Sequence, residues 1–144
     1  MADNLTPSEV RKILGDATFA ASGKAAGLVR ERHFTARQAD LTPLHPDTPR
    51  KNRRATNAGL ILVEMDVMVK ATRHERRGEL EAAVTNDDRK MPWHAFGVPA
   101  KGIPQRDTIK KTCDEAEDEI LEVAEQHASR ELDRPIKVKR TFSI

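Results

Sequence analysis

The segment WHAFGVPAKGIPQR, from Trp93 to Arg106, is the stretch of sequence that decides the fold of this chain. It places two prolines and two glycines between an aromatic anchor and the start of a long charged helix. Proline lacks the backbone donor that helices and sheets require, so we predict that this segment lies outside regular secondary structure. We expect an ordered loop, extending over 86–107, that orients the helix after it.

A long N-terminal helix is predicted well before this loop. Thr6 suits the N-cap position, Pro7 the first helical position and Glu9 the reciprocal partner of a capping box. The pattern predicts a helix over 7–36. Its apolar residues recur with a period close to 3.6, at Val10, Ile13, Leu14, Ala17, Ala21, Ala25 and Leu28.

Two alternating segments predict a β-hairpin over 59–85. Odd-numbered apolar residues alternate with a mixed even face over 61–70, and a weaker alternation follows over 79–84. The charged stretch 72–78 is predicted to be the turn between the two strands. A helix through 80–84 is the competing interpretation of the second segment.

A second long helix and a final strand are predicted after the loop. Asp107 or Thr108 suits the N-cap of a helix over 108–133, which ends before Pro135. Its predicted apolar face carries, at spacings of three and four, Ile109, Cys113, Ala116, Ile120, Val123 and His127.

The last residues, 136–144, alternate apolar and polar side chains and predict a strand. An isolated strand needs a sheet edge for its backbone groups. It either closes the sheet of its own subunit or adds to the sheet of a neighbour, as in β-strand addition. We favour the intersubunit version, because a long helix precedes the strand and can carry it away from its own core.

Together these elements predict one α+β domain over 1–144. An antiparallel β-sheet, made of the hairpin and the C-terminal strand, is expected to pack against a long N-terminal and a long C-terminal helix. The chain has 144 residues, of which 38% are hydrophobic, 33% charged and only 3% aromatic. A core with so few large side chains often gains stability from neighbouring subunits, so we predict a homo-oligomer.

Composition also indicates the cellular compartment in which the chain is expected. The single cysteine, Cys113, allows no intrachain disulfide, which fits assembly in a reducing cytoplasm. No apolar run approaches the ~20 residues that span a bilayer. The first residues lack the basic and apolar regions of a signal peptide. We therefore expect a soluble chain that is not secreted and has no membrane partner.

Catalytic patterns are weak in this sequence. Its five histidines are scattered and form no HExxH pair or other metal-ligand spacing. Gly23 to Gly27 lacks the spacing of a phosphate-binding loop. Cys113 lies on a predicted apolar helix face, where core packing explains it better than a nucleophilic role. We predict no catalytic activity, no metal and no cofactor.

Two basic clusters allow two interpretations. One lies in the proline-containing loop predicted over 41–56 and the other in the predicted hairpin turn; their members are Arg50, Lys51, Arg53, Arg54, Arg73, Arg76 and Arg77. They suit electrostatic, non-specific phosphate binding, or else a solvated surface that meets an acidic partner. The second interpretation is favoured, because no aromatic stacking platform accompanies the charges and the net charge is only +2.

The chain from the mid-20s to about residue 125 resembles the phage virion-morphogenesis and tail-completion family of neck proteins. A basic-aromatic stretch over 30–34 and a proline segment over 41–51 match that family. Leu41 stands where the family usually has tryptophan, the Thr-Gly pair of its first strand is absent, and Asp107-Thr108 replaces a frequent aromatic pair. The most specific match is "His-x-Phe-Gly, then Ile-Pro-x-Arg" before the final helix, carried by His94, Phe96, Gly97, Ile103, Pro104 and Arg106.

This resemblance implies a ring-forming structural component of a tailed phage, expected to be a homohexamer that joins tail to head. It would be assembled in the bacterial host cytoplasm and reside in the virion neck, beside other neck proteins and tail-tube or sheath proteins. Genome DNA would pass through its lumen without sequence-specific binding. The alternative is a small nucleic-acid-associated protein that binds phosphates through its basic loops. Besides the basic clusters, we expect interfaces at Trp93, Phe96, Ile103, Pro104, Arg106, Ile136, Val138, Phe142 and Ile144.

Overall fold

The computed structural model describes residues 4–31 and 67–137 of the chain. A two-stranded antiparallel sheet, called the ribbon below, pairs β1 with β2. Helix α1 contacts both strands of the ribbon and also α5. The fold is therefore α+β, as predicted, with a long helix near each end. Its elements are α1 (Pro7–Leu28), α2 (Val67–Lys70), β1 (Thr72–Gly78), β2 (Glu81–Asn86), α3 (Met91–Phe96), α4 (Thr108–Glu115) and α5 (Glu117–Leu132).

Helix α1 begins as predicted, with a complete capping box. The Thr6 hydroxyl accepts a hydrogen bond from the Glu9 N–H at 3.2 Å, and the Glu9 carboxylate accepts one from the Thr6 N–H at 2.6 Å. The latter bond favours the charged carboxylate and lowers the pKa of Glu9. A π-helical turn over 29–31 follows α1. The end of the predicted 7–36 helix, and the whole predicted 41–56 loop, lie outside the described residues.

The hairpin lies further along the chain than predicted. Residues 72–78, predicted to be the turn, form β1, and the chain reverses through Glu79 and Leu80. The charged residues of 72–78 indicated a turn, but two residues of this stretch pack on α1 within a strand. His74 and Arg76 both contact the ring of Phe19 on α1, while Glu75 between them is exposed. A two-stranded ribbon with one solvated face tolerates such a charged strand. The competing helix through 80–84 is also wrong.

The segment before β1 is helical rather than extended. Residues 67–70 form the short helix α2 instead of the end of a strand. Periodicity alone cannot separate strand from helix in a short apolar run. Here the Asn86 amide of β2 donates to the Met68 carbonyl at 2.7 Å and to the Thr72 hydroxyl at 2.9 Å, which ties this turn to the ribbon. The rest of the predicted strand, 61–66, lies outside the described residues.

The predicted 86–107 loop contains two short helices. α3 covers the aromatic residues of the segment, and a 3-10 turn spans Pro99–Lys101. The prediction that 93–106 lies outside regular structure was wrong for 93–96 and 99–101, because Pro92 and Pro99 each occupy the first turn of one of these helices. A backbone N–H has no intrahelical partner at that position, so proline costs little there.

The predicted 108–133 helix is divided at Ala116 into α4 and α5. Asp107 caps α4, accepting the Lys110 N–H at 2.9 Å. The predicted apolar face was confirmed in part, since Ala116 is buried and Ile120 packs between α1 and α5, whereas Ile109 and Cys113 are only half-buried. Small side chains allow helices to approach closely, and they decide which face turns inward. The buried residues are Thr108, Thr112, Ala116, Ala124, Ala128 and Leu132.

Two small apolar clusters form the core. Val29, Met68 and Met91 meet where α1 ends near α2 and α3. The second cluster is the seam between α1 and α5, formed by Ala17, Ala21, Ala124 and Ala128 and covered by Leu14, Ile120 and Ile136.

The predicted C-terminal strand enters the described region only at its first two residues. The Ile136 N–H donates to the Ser129 hydroxyl of α5 at 3.0 Å. Residues 138–144 lie outside the described part of the chain.

Candidate functional site

The basic side chains of β1 face acidic groups of the same chain. Arg73 forms an ion pair with Asp87, and Arg77 pairs with Glu75 at 3.0 Å. Arg76 reaches Asp16 on α1 at 2.5 Å and lies 4.8 Å from the centre of the Phe19 ring. Exposed ion pairs of this kind contribute at most about 1 kcal/mol each to stability.

These pairs change the interpretation of the basic hairpin cluster. Each of its three arginines has a carboxylate partner, so the ribbon does not present an uncompensated row of cations. Residues 73–77, predicted to lie in the hairpin turn, are fixed in the ribbon, because β1 is hydrogen-bonded to β2 and Arg76 is held against α1. Arg50, Lys51, Arg53 and Arg54 lie outside the described residues.

The segment from Trp93 to Arg106, called the aromatic loop below, closes on itself. Val98 and Ile103 exchange two backbone hydrogen bonds, of 2.8 and 3.1 Å. The Arg106 N–H donates to the His94 carbonyl at 2.5 Å, which joins the loop's end to α3. The loop is therefore ordered, as predicted.

The aromatic loop carries two large apolar side chains into solvent. Phe96 is 79% exposed and Trp93 is 43% exposed. The Lys101 ammonium lies 5.0 Å from the centre of the Trp93 ring, a cation–π contact that holds the indole in place. Exposed aromatic residues on a rigid support are typical of protein-binding surfaces.

The same segment carries a basic pair, Arg106 and His94. Arg106 is only 6% exposed, and its burial lowers the pKa of the guanidinium. His94 is half-buried, and its Nδ1 atom has no hydrogen-bond partner among the described residues. Burial is the main cause that lowers the pKa of His94 below 6.5; Arg106 and Lys90 lower it further, and Asp88 opposes them.

This pair predicts a specific dependence of stability on pH. Because the pKa of His94 is lower in the folded chain, its contribution is complete above the unfolded pKa of about 6.5 and is lost as pH falls through the folded pKa. His94→Gln is expected to reduce the loss of unfolding free energy between pH 7.5 and pH 5. Urea unfolding at both pH values measures it. An unchanged acid response in His94→Gln would contradict the assignment.

An open groove of about 480 Å³ runs beside the helical seam. Its floor is α1, one wall is β2 with the turn before it, and the other wall is α4 with α5. Most lining side chains are apolar, among them Ala25, Leu80, Val84, Ile109 and Leu121. The groove was not predicted from the sequence. Alanines spaced four apart on both long helices were the feature of the sequence that pointed to a close helix pair beside it.

The predicted interface residues do not form one surface. Arg76 lies beside Asp16, whereas Met91, just before the aromatic loop, packs against Val29. Thirteen helical residues separate those two positions on α1, or about 20 Å. Ile103 and Pro104 are half-buried within the loop, and Ile136 is packed on the seam. Val138, Phe142 and Ile144 lie outside the described residues.

Comparison with protein-family models, with curated proteins and with solved structures finds no match to this chain. Over 4–31 and 67–137, no helix is long and apolar enough to cross a membrane. The same residues contain no group of three or more histidine, cysteine or acidic side chains placed to hold a metal ion.

Proposed function

We propose that this chain is a structural virion component of a tailed phage, a ring-forming neck protein of the tail-completion or tail-terminator type. In this proposal it forms a homohexameric ring that joins tail to head and contacts other neck proteins and the tail tube or sheath. It performs no catalysis and needs no cofactor. The genome passes through its lumen without sequence-specific binding.

The observation that carries this proposal is the aromatic loop. Its motif residues, from His94 to Arg106, are the ones that resemble the neck family most specifically. The loop is closed by backbone hydrogen bonds and presents Phe96 to solvent on a rigid base. An exposed aromatic side chain lowers the solubility of a free subunit. Its presence on a rigid loop is therefore typical of a contact made on assembly.

The nucleic-acid-associated alternative draws less support from the ribbon. Phosphate binding needs protein cations that are available to neutralise phosphates and so to release the counterions condensed on the nucleic acid. Arg73, Arg76 and Arg77 each face a carboxylate, so a phosphate would have to displace an existing partner. The alternative now depends on the basic residues of 50–54.

The proposed subunit also includes a third strand. In this arrangement residues 138–144 add a strand to the sheet, after Ile136 and Lys137, which lie outside any strand. The alternation of apolar and polar residues supports a strand there.

Mass and shape distinguish the two functions. A ring-forming neck protein is expected to give, by light scattering at physiological salt, a single species of about six subunits and ring-shaped particles in negative stain. A nucleic-acid-associated protein is expected to stay small and to retard DNA with a steep salt dependence. A monomer that binds DNA in this way would overturn the neck proposal.

Removing the exposed aromatic side chain tests the surface itself. Phe96→Ser is expected to weaken ring formation strongly while changing the unfolding free energy by no more than about 0.5 kcal/mol, since exposed positions contribute little to folding. Light-scattering mass and urea unfolding measure the two effects. Phe96→Leu keeps an apolar side chain and should still assemble. Normal rings from Phe96→Ser would remove the aromatic loop from the interface.

A further inference from the structure

The groove beside the helical seam lacks an occupant among the described residues, although it is built like the space for a strand. One of its walls is β2, which among residues 4–31 and 67–137 pairs only with β1. Apolar side chains of α1, α4 and α5 face β2 across the groove. An extended segment with apolar residues on alternate positions would fill such a space and supply backbone partners to the edge of β2 that no described residue pairs.

The end of the described chain points into this groove. After α5 the backbone reverses at Asp133, which adopts a left-handed conformation with φ of 50°. Ile136 then packs on the seam, and its N–H bonds to Ser129. The Lys137 ammonium reaches Glu125 at 3.4 Å. The chain therefore runs back along α5, from Ser129 towards Glu125 and the groove-lining Leu121.

The remaining chain is long enough to cover the groove. Residues 138–144 reach about 23 Å when extended. Eight helical residues separate Glu125 from Glu117, or about 12 Å, which an extended chain covers in about four residues. An extended segment that starts at Lys137 would thus bring Phe142 close to the level of Cys113 on α4.

The charge of the C-terminal segment is complementary to that of α5 along this path. Asp118, Glu122, Glu125 and Ser129 share one face of α5, and the last two already contact the chain end. The segment that follows carries Lys139 on the same alternating face as Lys137. Its inward-facing side is apolar except for Arg140, which arrives near the level of Glu117, an acidic residue of the groove wall.

We propose that the groove is the docking site of residues 138–144 of the same chain, which bind as a strand between β2 and α5 with Val138, Phe142 and Ile144 inward. Because Ile136 and Lys137 already contact α5 of their own chain, residues 138–144 of that chain are favoured over the same residues of a second copy. The inference concerns a single subunit and does not depend on the phage assignment.

A disulfide tests the docking in the full chain. Cys113 is the only cysteine and lines the groove, so Phe142→Cys supplies a second thiol for oxidation with copper phenanthroline. A disulfide forms only where Cα atoms come within about 7 Å. The expected product is an intramolecular disulfide in a chain that migrates as a monomer on a non-reducing gel. Ser143→Cys, on the outward face, is the matched control and should cross-link roughly tenfold more slowly.

The outcomes separate the possible occupants. A disulfide-linked dimer from Phe142→Cys would assign the groove to the tail of a second copy and overturn the proposal. Cross-linking no faster than that of Ser143→Cys would show that the segment does not dock there. Neither result bears on ring formation by Phe96. Failure here would remove the third strand from the proposed subunit but would not contradict the ring.

A second measurement does not require a new thiol. In the full chain, Phe142→Ser should uncover the groove and raise the rate at which Cys113 reacts with a disulfide reagent such as DTNB by severalfold. Thr141→Ser, on the outward face, should leave that rate unchanged. Equal rates in wild type and Phe142→Ser would overturn the proposal even if the cysteine variant failed to fold.

Discussion

Replacing Gly15 with alanine is expected to lower the free energy of unfolding by about 2–4 kcal/mol. A Cβ at this position would come closer than 3.0 Å to the carbonyl oxygen of Glu79, in the turn of the ribbon. That oxygen is part of the backbone, so relief requires α1 and the ribbon to move apart. The loss should outweigh the gain of about 1 kcal/mol that alanine usually brings to a helix. Urea unfolding followed by circular dichroism measures it.

Gly27 provides a matched control in the same helix. It is exposed, and a Cβ added there would meet nothing within 4 Å. Gly27→Ala should therefore stabilise the protein by up to about 1 kcal/mol, through helix propensity alone. Opposite signs for the two substitutions would support the close contact between α1 and the turn. Similar stabilisation by both would mean that the ribbon does not pack on α1 at Gly15.

Replacing Gly97 with alanine is expected to disrupt the aromatic loop. Gly97 has φ of 74° and ψ of 160°, a conformation that costs other residues about 1–3 kcal/mol. Its Cβ would also lie 3.0 Å from the Gln105 nitrogen and 3.2 Å from the Ile103 oxygen. We expect a local loss of about 2–4 kcal/mol. Trp93, the only tryptophan, reports the loop directly by fluorescence.

The measurement compares two probes of one unfolding experiment. In Gly97→Ala, the fluorescence of Trp93 should change at a lower urea concentration than the circular dichroism of the helices. Gly102→Ala is the control, because its φ of 65° is left-handed but a Cβ there has open space. It should cost only about 1–2 kcal/mol. Equal effects of the two substitutions would show that the close backbone approach at Gly97 does not matter.

Local signals in the sequence were sufficient for the starts of helices and for the ordered loop. The capping box of Thr6 and Glu9 and the N-cap at Asp107 each depend on residues a few positions apart. Such features involve backbone groups within one turn, so neighbouring residues alone determine them. The α+β class followed from the same kind of pattern.

The positions of β1 and of the helix faces were decided by tertiary contacts. β1 was predicted as a turn because Arg73 to Arg77 are charged, yet Phe19, more than 50 residues earlier, offers the ring on which His74 and Arg76 pack. The face of α5 that turns inward was chosen by Ala17 and Ala21 on α1. Alternation and periodicity describe one segment, whereas burial depends on its partner.

The sequence by itself thus determined where α1 and α4 begin, where prolines and glycines interrupt the aromatic loop and which fold class results. Only the tertiary structure decided that the basic residues of β1 pair with acids, that Phe96 faces solvent and that a groove opens between β2 and α5. The physical reason is the range of the interactions. Caps and turns satisfy backbone groups nearby in sequence, whereas ion pairs, exposure and grooves depend on residues that the fold brings together.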